Sequence, residues 1–331
     1  TAAVREAVRK VRQAFDLLVA HRLDQADVPA DFAFDRLSAS DLERSARIAR
    51  DMQIVHFPTA FPEVFLRERG GFDAVIGNPP WDKVRHESQQ FWVTRSPGLN
   101  ALTVAEREAR IDELREERPW DADVEEIERA TREQLQAYVS RAYQHQGRGH
   151  HEFAKLFVER ALALTGHNGA LGYALPRQCL VLGGWSKLRR LLVERGTLEV
   201  VQARNRGGWL FDGIDHRITV VLVASLPAIN ARTSVWAAVQ SKAELQALSE
   251  TEAITLTAEE VEQLSEGSII PWFDHPDAIS VFDKLRRFER LSTGNAWIQG
   301  RSDSRWDFSG SGKHRDLAAP GAGDESSWHV L

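Results

Sequence analysis

The stretch that most limits how this chain can fold is Phe72-Asp73-Ala74-Val75-Ile76-Gly77, followed at once by Asn78-Pro79-Pro80-Trp81. A short apolar run bounded by Gly and Pro reads as a buried strand. Two successive prolines fix the backbone and remove two N–H donors, so no interior strand can continue through them. The chain must leave its sheet at Gly77 through a rigid loop. That loop holds the Asn78 amide and the Pro79 carbonyl at the carboxyl end of the strand, where open α/β sheets bind their ligands.

The flanking patterns supply the rest of such a sheet. Residues 152–164 read as an amphipathic helix and 169–176 as a strand. A basic helix over 186–194 follows the Gly183-Gly184 turn, and further strands read over 198–203 and 217–224. Strand–helix alternation of this kind predicts an α/β fold with a parallel sheet covered by helices. The last two strands are joined by only about a dozen residues without helical pattern, which predicts an antiparallel hairpin at the sheet edge.

Before the strand at 72, Val4, Val8, Val11, Phe15, Leu17 and Leu18 recur at near-helical spacing. Ser40-Asp41-Leu42-Glu43 has the pattern of a capping box leading into a second helix that ends near Met52. Residues 103–133 hold 12 acidic and 6 basic side chains, net −6, and Pro119 divides them into two helices. That composition reads as a solvated helical hairpin inserted into the domain. Past Pro227 the regularity weakens to helical stretches near 242–248, 258–264 and 278–291, and beyond Ser292 the chain is rich in Gly, Ser, Asp and Trp. The domain reading is therefore a helical segment over 1–66, a catalytic region over 67–226 with its insert at 99–148, and the start of a further domain over 227–331.

Composition excludes several classes. With 331 residues and 43% hydrophobic content the chain can bury a sizeable core. The lone Cys179 cannot form an internal disulfide, and Gly149-His150-His151-Glu152 has neither HExxH spacing nor a third metal ligand. No apolar run reaches the roughly 18 residues of a membrane span and no secretory signal opens the chain. The expected compartment is reducing and cytoplasmic. The chain opens at Thr1, its single methionine is Met52, and it ends on an apolar run, which reads as part of a longer polypeptide.

The Asn-Pro-Pro-Trp loop carries the chemistry. An exocyclic amine is a poor nucleophile because its lone pair is delocalised into the ring. Two fixed acceptors that grip its N–H bonds favour the attacking geometry and disperse the developing charge. Trp81 offers an aromatic face for a base taken out of its stack, worth roughly 1–3 kcal/mol. The plainer reading is a rigid turn with a packed tryptophan.

Residues 78–81 resemble motif IV, (N/D/S)PP(Y/F/W), of the amino-methyltransferases that use S-adenosyl-L-methionine. With the preceding Phe61-Pro62-Glu63-Val64-Phe65 and 71–77, the chain resembles the large adenine-N6 DNA methylases of type IIG restriction–modification systems and of the BREX and DISARM phage-defence systems. Residues 152–157 stand at the family's "DLYxLF" helix, with Glu152 for Asp and Ala154 for Tyr, and 164–176 resemble its "LLKPGG" strand entry. Leu210-Phe211-Asp212 and 218–221 resemble motif VIII, whose aromatic packs against the flipped adenine, and Phe211 stands at that place. The resemblance covers about residues 54–226 and weakens towards 316.

The resemblance implies a fold, the second half of a Rossmann-like methyltransferase sheet followed by the start of a target-recognition region. It implies S-adenosyl-L-methionine as cofactor and double-stranded DNA as partner, with other subunits of a defence system as further partners. Asp73, Glu152 and Phe153 are the candidates for cofactor contact. Residues 1–70 contain no strand ending in the family's "DPxxGxG" turn, so the cofactor half of the sheet is expected outside this chain. Residues 308–312 fit a permuted "FxGxG" loop, but the polar stretch before them cannot be the strand that such a loop caps.

Residues 177–232 hold nine Arg/Lys against four Asp/Glu inside an acidic chain. Arg177, Lys187, Arg189, Arg190, Arg204, Arg206 and Arg217 are the candidates for a phosphate-facing surface. A solvated helix face explains 187–195 as well. Other acceptors of the same chemistry are RNA and protein glutamine. A DNA-docking component without transfer is the reading from a different class.

Overall fold

The computed structural model describes residues 2–23, 38–213, 218–264 and 267–288. Arg217, the 308–312 stretch and the Gly/Ser/Trp-rich region beyond Ser292 lie outside the described residues. The chain divides into two compact units, Thr1–Phe282 and Asp283–Leu331. In the second, Asp283 accepts hydrogen bonds from Arg286 and Arg287. All that follows concerns the first.

Helices α1 (Ala2–Arg22) and α2 (Ala39–Asp51) pack together. The cap of α2 is Ser38, whose side chain accepts from Asp41 N, so the helix starts ahead of the expected Ser40 box. Val8 and Val11, placed by spacing on the apolar face of α1, are exposed. The buried run starts at Asp16, whose carboxylate lies 2.7 Å from His56 Nε2 while Phe15 stacks on the same imidazole. Two single-turn helices follow, α3 (Phe57–Ala60) and α4 (Pro62–Phe65). Their Phe57, Phe61 and Phe65 surround Phe72, the first residue of strand β1 (Phe72–Gly77). Gly71 turns the chain into β1 at φ +87°, and a Cβ there would lie 2.6 Å from Gly166 N, so only glycine fits.

The sheet has six strands in the order β1-β2-β4-β3-β5-β6, with β2 at Thr165–Pro176, β3 at Gly196–Arg204, β4 at Thr219–Pro227, β5 at Arg232–Val239 and β6 at Ile254–Thr257. The pairings β1–β2 and β3–β5 are parallel, and β4 is antiparallel to both β2 and β3. Strands β1, β2, β3 and β5 thus share one direction. The β3–β4 hairpin forms as expected, but not at the edge: β4 inserts between β2 and β3, and β5 and β6 extend the sheet beyond them. The boundary drawn at 226/227 therefore cuts through the sheet. Strand β5 escapes the sequence reading because its inward residues, Thr233, Val235 and Ala237, are small and its outward row includes Trp236, which blurs the alternation.

One face of the sheet is covered by α8 (Phe153–Leu164), α9 (Gln178–Val181), α10 (Ser186–Arg195) and α12 (Ala258–Leu264), with Trp185, Leu188 and Val200 among the fully buried residues. The lone thiol, Cys179, is sealed in this core, and burial pushes its pKa up to about 12, so it is no nucleophile at neutral pH. The other face is open towards β1. Ile76 is 83% exposed, and a shallow apolar depression of about 350 Å³ runs across Ile76, Gly172, Val201, Leu222 and Ala224. Strand β1 has β2 as its only strand partner among the described residues.

The charged insert packs against residues that precede position 99. Helix α5 (Ser88–Arg95) supplies Phe91 and Trp92 to a small core completed by Leu99, Ile111 and Leu114. The hairpin itself is α6 (Val104–Glu117) and α7 (Pro119–Ala142), split at Pro119 as expected. A true capping box, Thr103 with Glu106, opens α6. Helix α11 (Lys242–Gln246) precedes β6, and α13 (Pro276–Leu285) is the last helix among the described residues.

Candidate active site

Strand β1 ends at Gly77 beside the ring of Tyr173, where an added Cβ would stand 3.3 Å from the aromatic carbon. The loop then presents Asn78 to solvent and buries Pro79. The buried proline fixes the loop from below while the amide ahead of it stays available. Trp81 is half-buried. Its indole N–H points at the Ala174 carbonyl of β2, 3.4 Å away, and its ring packs against both the covered and the open faces of the sheet.

The exit of the loop is fixed by backbone pairing. Phe153 N donates to Asp82 O and Val84 N to His151 O, both at 2.9 Å, and Lys83 bridges Glu152 in antiparallel fashion. The segment that follows Trp81 is thereby tied to the start of α8.

A second arm approaches from β3. After Arg204 the chain turns through Gly207 and Gly208, both at positive φ, and brings Phe211 back over the sheet. Phe211 meets Trp81 edge-to-face, with ring centroids 6.5 Å apart and an interplanar angle of 87°. The two aromatics singled out in the sequence, 130 positions apart, are thus side by side. Two residues of this arm escape the sequence reading: the buried Asn205, and Trp209, whose indole N–H donates to Arg204 O at 2.7 Å. A polar residue just after a strand is the only signal that could have found Asn205.

The three cofactor candidates do not converge. Asp73 stands at the opposite end of β1 from Asn78, exposed and paired with Arg67 and Arg69. These cations, Arg67 above all, hold its pKa below the usual carboxylate range. Glu152 accepts from the Trp185 indole at 3.2 Å, and Phe153 packs among Val84, Val139 and Leu156 beneath the Arg132 guanidinium. Glu152 and Phe153 thus stand beside the exit of the Asn78 loop, and Asp73 at the other end of the strand.

The basic candidates separate into classes. Arg189 is buried and donates to the carbonyls of Cys179, Leu182, Gly267 and Ser268, so it is a clamp within the core and not a surface cation. Burial lowers its pKa to about 10. The signal was present in the sequence, because Leu188, Arg189, Leu192 and Val193 form a single buried stripe of α10. Arg190 pairs with Glu262 at 2.7 Å, Arg204 pairs with Asp274, and Lys187 reaches the Gln144 carbonyl at 3.5 Å. Arg177 is exposed and lies over the Trp272 ring, 4.7 Å from its centroid. Arg206 is exposed, and among the described residues nothing pairs with its guanidinium. Arg177, Arg204 and Arg206 lie at the same end of the sheet as the Asn78 loop, because β1, β2 and β3 run in one direction.

Residues 17–103, which include α2, β1 and the Asn78 loop, match the family described as Eco57I restriction-modification methylase. No curated protein matches the chain. Among solved structures the chain is similar to a type I restriction-modification methyltransferase subunit from Streptococcus thermophilus, at 14% identity and TM-score 0.34, over 60% of this chain and 37% of that one. It is similar to the DrdV–DNA complex at 12% identity and TM-score 0.32, over 66% of this chain and 18% of that one. A nuclease-deletion mutant of the Type ISP enzyme LlaGI, bound to a DNA substrate mimic, shares 10% identity at TM-score 0.35, over 70% of this chain and 22% of that one. The chain thus spans between 18% and 37% of the length of these three proteins.

Proposed function

We propose that this chain carries the base-binding side of an adenine-N6 DNA methyltransferase acting in restriction–modification or anti-phage defence. The observation that carries the proposal is the meeting of the rigid Asn78-Pro79-Pro80-Trp81 loop with Phe211 at the carboxyl end of the sheet. The family match over residues 17–103 supports it.

In this reading the target adenine leaves the duplex and rests on Trp81, with Phe211 against its edge. Its N6 amine donates one hydrogen bond to the Asn78 side-chain oxygen and one to the Pro79 carbonyl. Both acceptors favour the nitrogen as nucleophile and spread the positive charge that grows on it. S-adenosyl-L-methionine would be the methyl source. Its binding residues belong outside the described set, and the free edge of β1 with the open face around Ile76 is the surface such a neighbouring half would cover.

The test is transfer of labelled methyl from S-adenosyl-L-methionine by the full-length protein, offered DNA, RNA and protein in parallel, with nucleoside analysis of the product. N6-methyladenine in DNA is the expected result. Label in RNA or on glutamine would move the reading to those acceptors. DNA binding with no transfer to any acceptor would favour the docking component.

Arg206 and Arg189 give a second expectation. Arg206→Ala should weaken DNA binding and reduce the slope of log affinity against log salt by about 1. Arg189→Ala should lower the melting temperature and leave that slope unchanged, because it removes five internal hydrogen bonds to four carbonyls and no phosphate contact. Equal salt slopes for Arg206→Ala and wild type would remove Arg206 from the DNA surface.

A further inference from the structure

The arm that carries Phe211 has no sheet to hold it. It leaves β3 at Arg204, turns through Gly207 and Gly208 in the left-handed region, and reaches Gly213, also at positive φ, before the chain joins β4. Glycine-rich backbone of this kind loses much conformational freedom on ordering, so something must hold it in place. Besides the Trp209 indole bond to Arg204 O, one buried side chain does so. Asn205 is fully buried, and its Oδ1 accepts from Leu210 N at 3.1 Å and Phe211 N at 3.0 Å. Its Nδ2 donates to Phe211 O at 2.7 Å. Both peptide groups of Phe211 are thereby tied to a single amide anchored at the end of β3. Only an amide side chain offers an acceptor and a donor together in this geometry.

We infer that Asn205 is a positioning residue that holds the Phe211 ring against Trp81 and so builds the aromatic seat for the extruded base. The placement of the ring stands on geometry alone, whereas the seat for a base rests on the methyltransferase reading above. Asn205 touches neither the proposed substrate nor Asn78. It acts through the Phe211 backbone.

The experiment reads the two parts separately. The full-length protein is labelled with 5-fluorotryptophan, and the Trp81 resonance is identified by its loss in Trp81→Phe. Phe211→Ala moves that resonance by removing the ring at its edge. Asn205→Ala should move it in the same direction, and Asn205→Ala combined with Phe211→Ala should move it no further than Phe211→Ala alone. In the transfer assay, Asn205→Ala and Phe211→Ala should each lower kcat by about 10- to 10²-fold with little change in KM for DNA, and the double variant should match the single ones. Asn205→Asp keeps both accepted hydrogen bonds and loses the donated one. It serves as the second variant if the alanine protein does not fold, with the same direction of change expected.

A Trp81 resonance that stays at the wild-type position in a folded Asn205 variant, while Phe211→Ala moves it, overturns the inference. Losses in kcat that multiply in the double variant overturn it too, because they would mean Asn205 acts on something other than Phe211. Absence of transfer by the wild-type protein, with the fluorine shifts as expected, leaves the positioning role standing and overturns the methyltransferase reading instead.

Discussion

Asn78→Ala in the full-length protein is expected to lower methyl transfer to DNA by about 10²–10³-fold, the usual cost of removing one preorganised polar partner of a developing charge. DNA affinity should change little, because Asn78 is a neutral side chain and phosphate contacts dominate binding. The structure makes this a sharp test. Asn78 is exposed at the end of an exposed edge strand and makes no side-chain hydrogen bond to the described residues, so its loss should cost little stability. Pro79, which is buried and shapes the loop, is the control in the other direction: Pro79→Ala frees the backbone and keeps the carbonyl, so a smaller loss in kcat is expected. A transfer rate in Asn78→Ala within a fewfold of wild type, measured with saturating DNA, would exclude the amide as the grip on the amine.

Much of this architecture is legible in the sequence where local and tertiary forces agree. The β1 run, the α8–β2–α10–β3 alternation and the break at Pro119 each rest on strong local signals, and the structure places elements at all of them. The failures have physical causes. Strand β5 hides behind small inward residues, and β6 is four residues long, too short for any alternation to register. The position of β4 inside the sheet is a matter of long-range pairing, which no local pattern encodes. Charge alone puts Arg189 on the surface, whereas its place on the buried stripe of α10 puts it in the core. At the candidate site, the aromatic partners were readable because each sits in a patterned stretch. Asn205 was not, because a lone buried amide announces itself only through the three hydrogen bonds it makes.

The largest stability effect is expected at Glu125, on the inserted hairpin. Its carboxylate is nearly sealed and accepts from Trp92 Nε1 at 2.8 Å and from the Arg115 guanidinium at 2.8 and 2.9 Å. His86 Nε2 lies 3.4 Å away, and His86 Nδ1 faces Glu128 at 3.5 Å. Burial alone would raise the Glu125 pKa, but the hydrogen bonds from Arg115, Ser88 and Trp92 outweigh it and hold the group down to about 2. A carboxylate whose folded pKa is depressed contributes stability that is present above its unfolded value and lost as pH falls through the folded one. The contribution is therefore expected in full at neutral pH and should fade between the ordinary glutamate value of 4.5 and about 2. Its size is on the order of 3 kcal/mol. Glu125→Ala leaves the fully buried Trp92 indole N–H without its acceptor and takes the buried partner from Arg115, which is part-exposed and keeps Asp112, so it should cost about 2–3 kcal/mol. Glu125→Gln should cost less and flatten the acid limb of the stability curve. Because His86 and Ser88 follow the Asn78–Trp81 loop directly, the damage should spread along the chain. Hydrogen exchange of the full-length Glu125→Ala protein should show faster exchange in α5–α7 and in the 82–88 segment, with β2 and β3 still protected. Unchanged protection of the hairpin at neutral pH would mean that its small apolar core, Phe91 to Leu114, holds it without the buried charge.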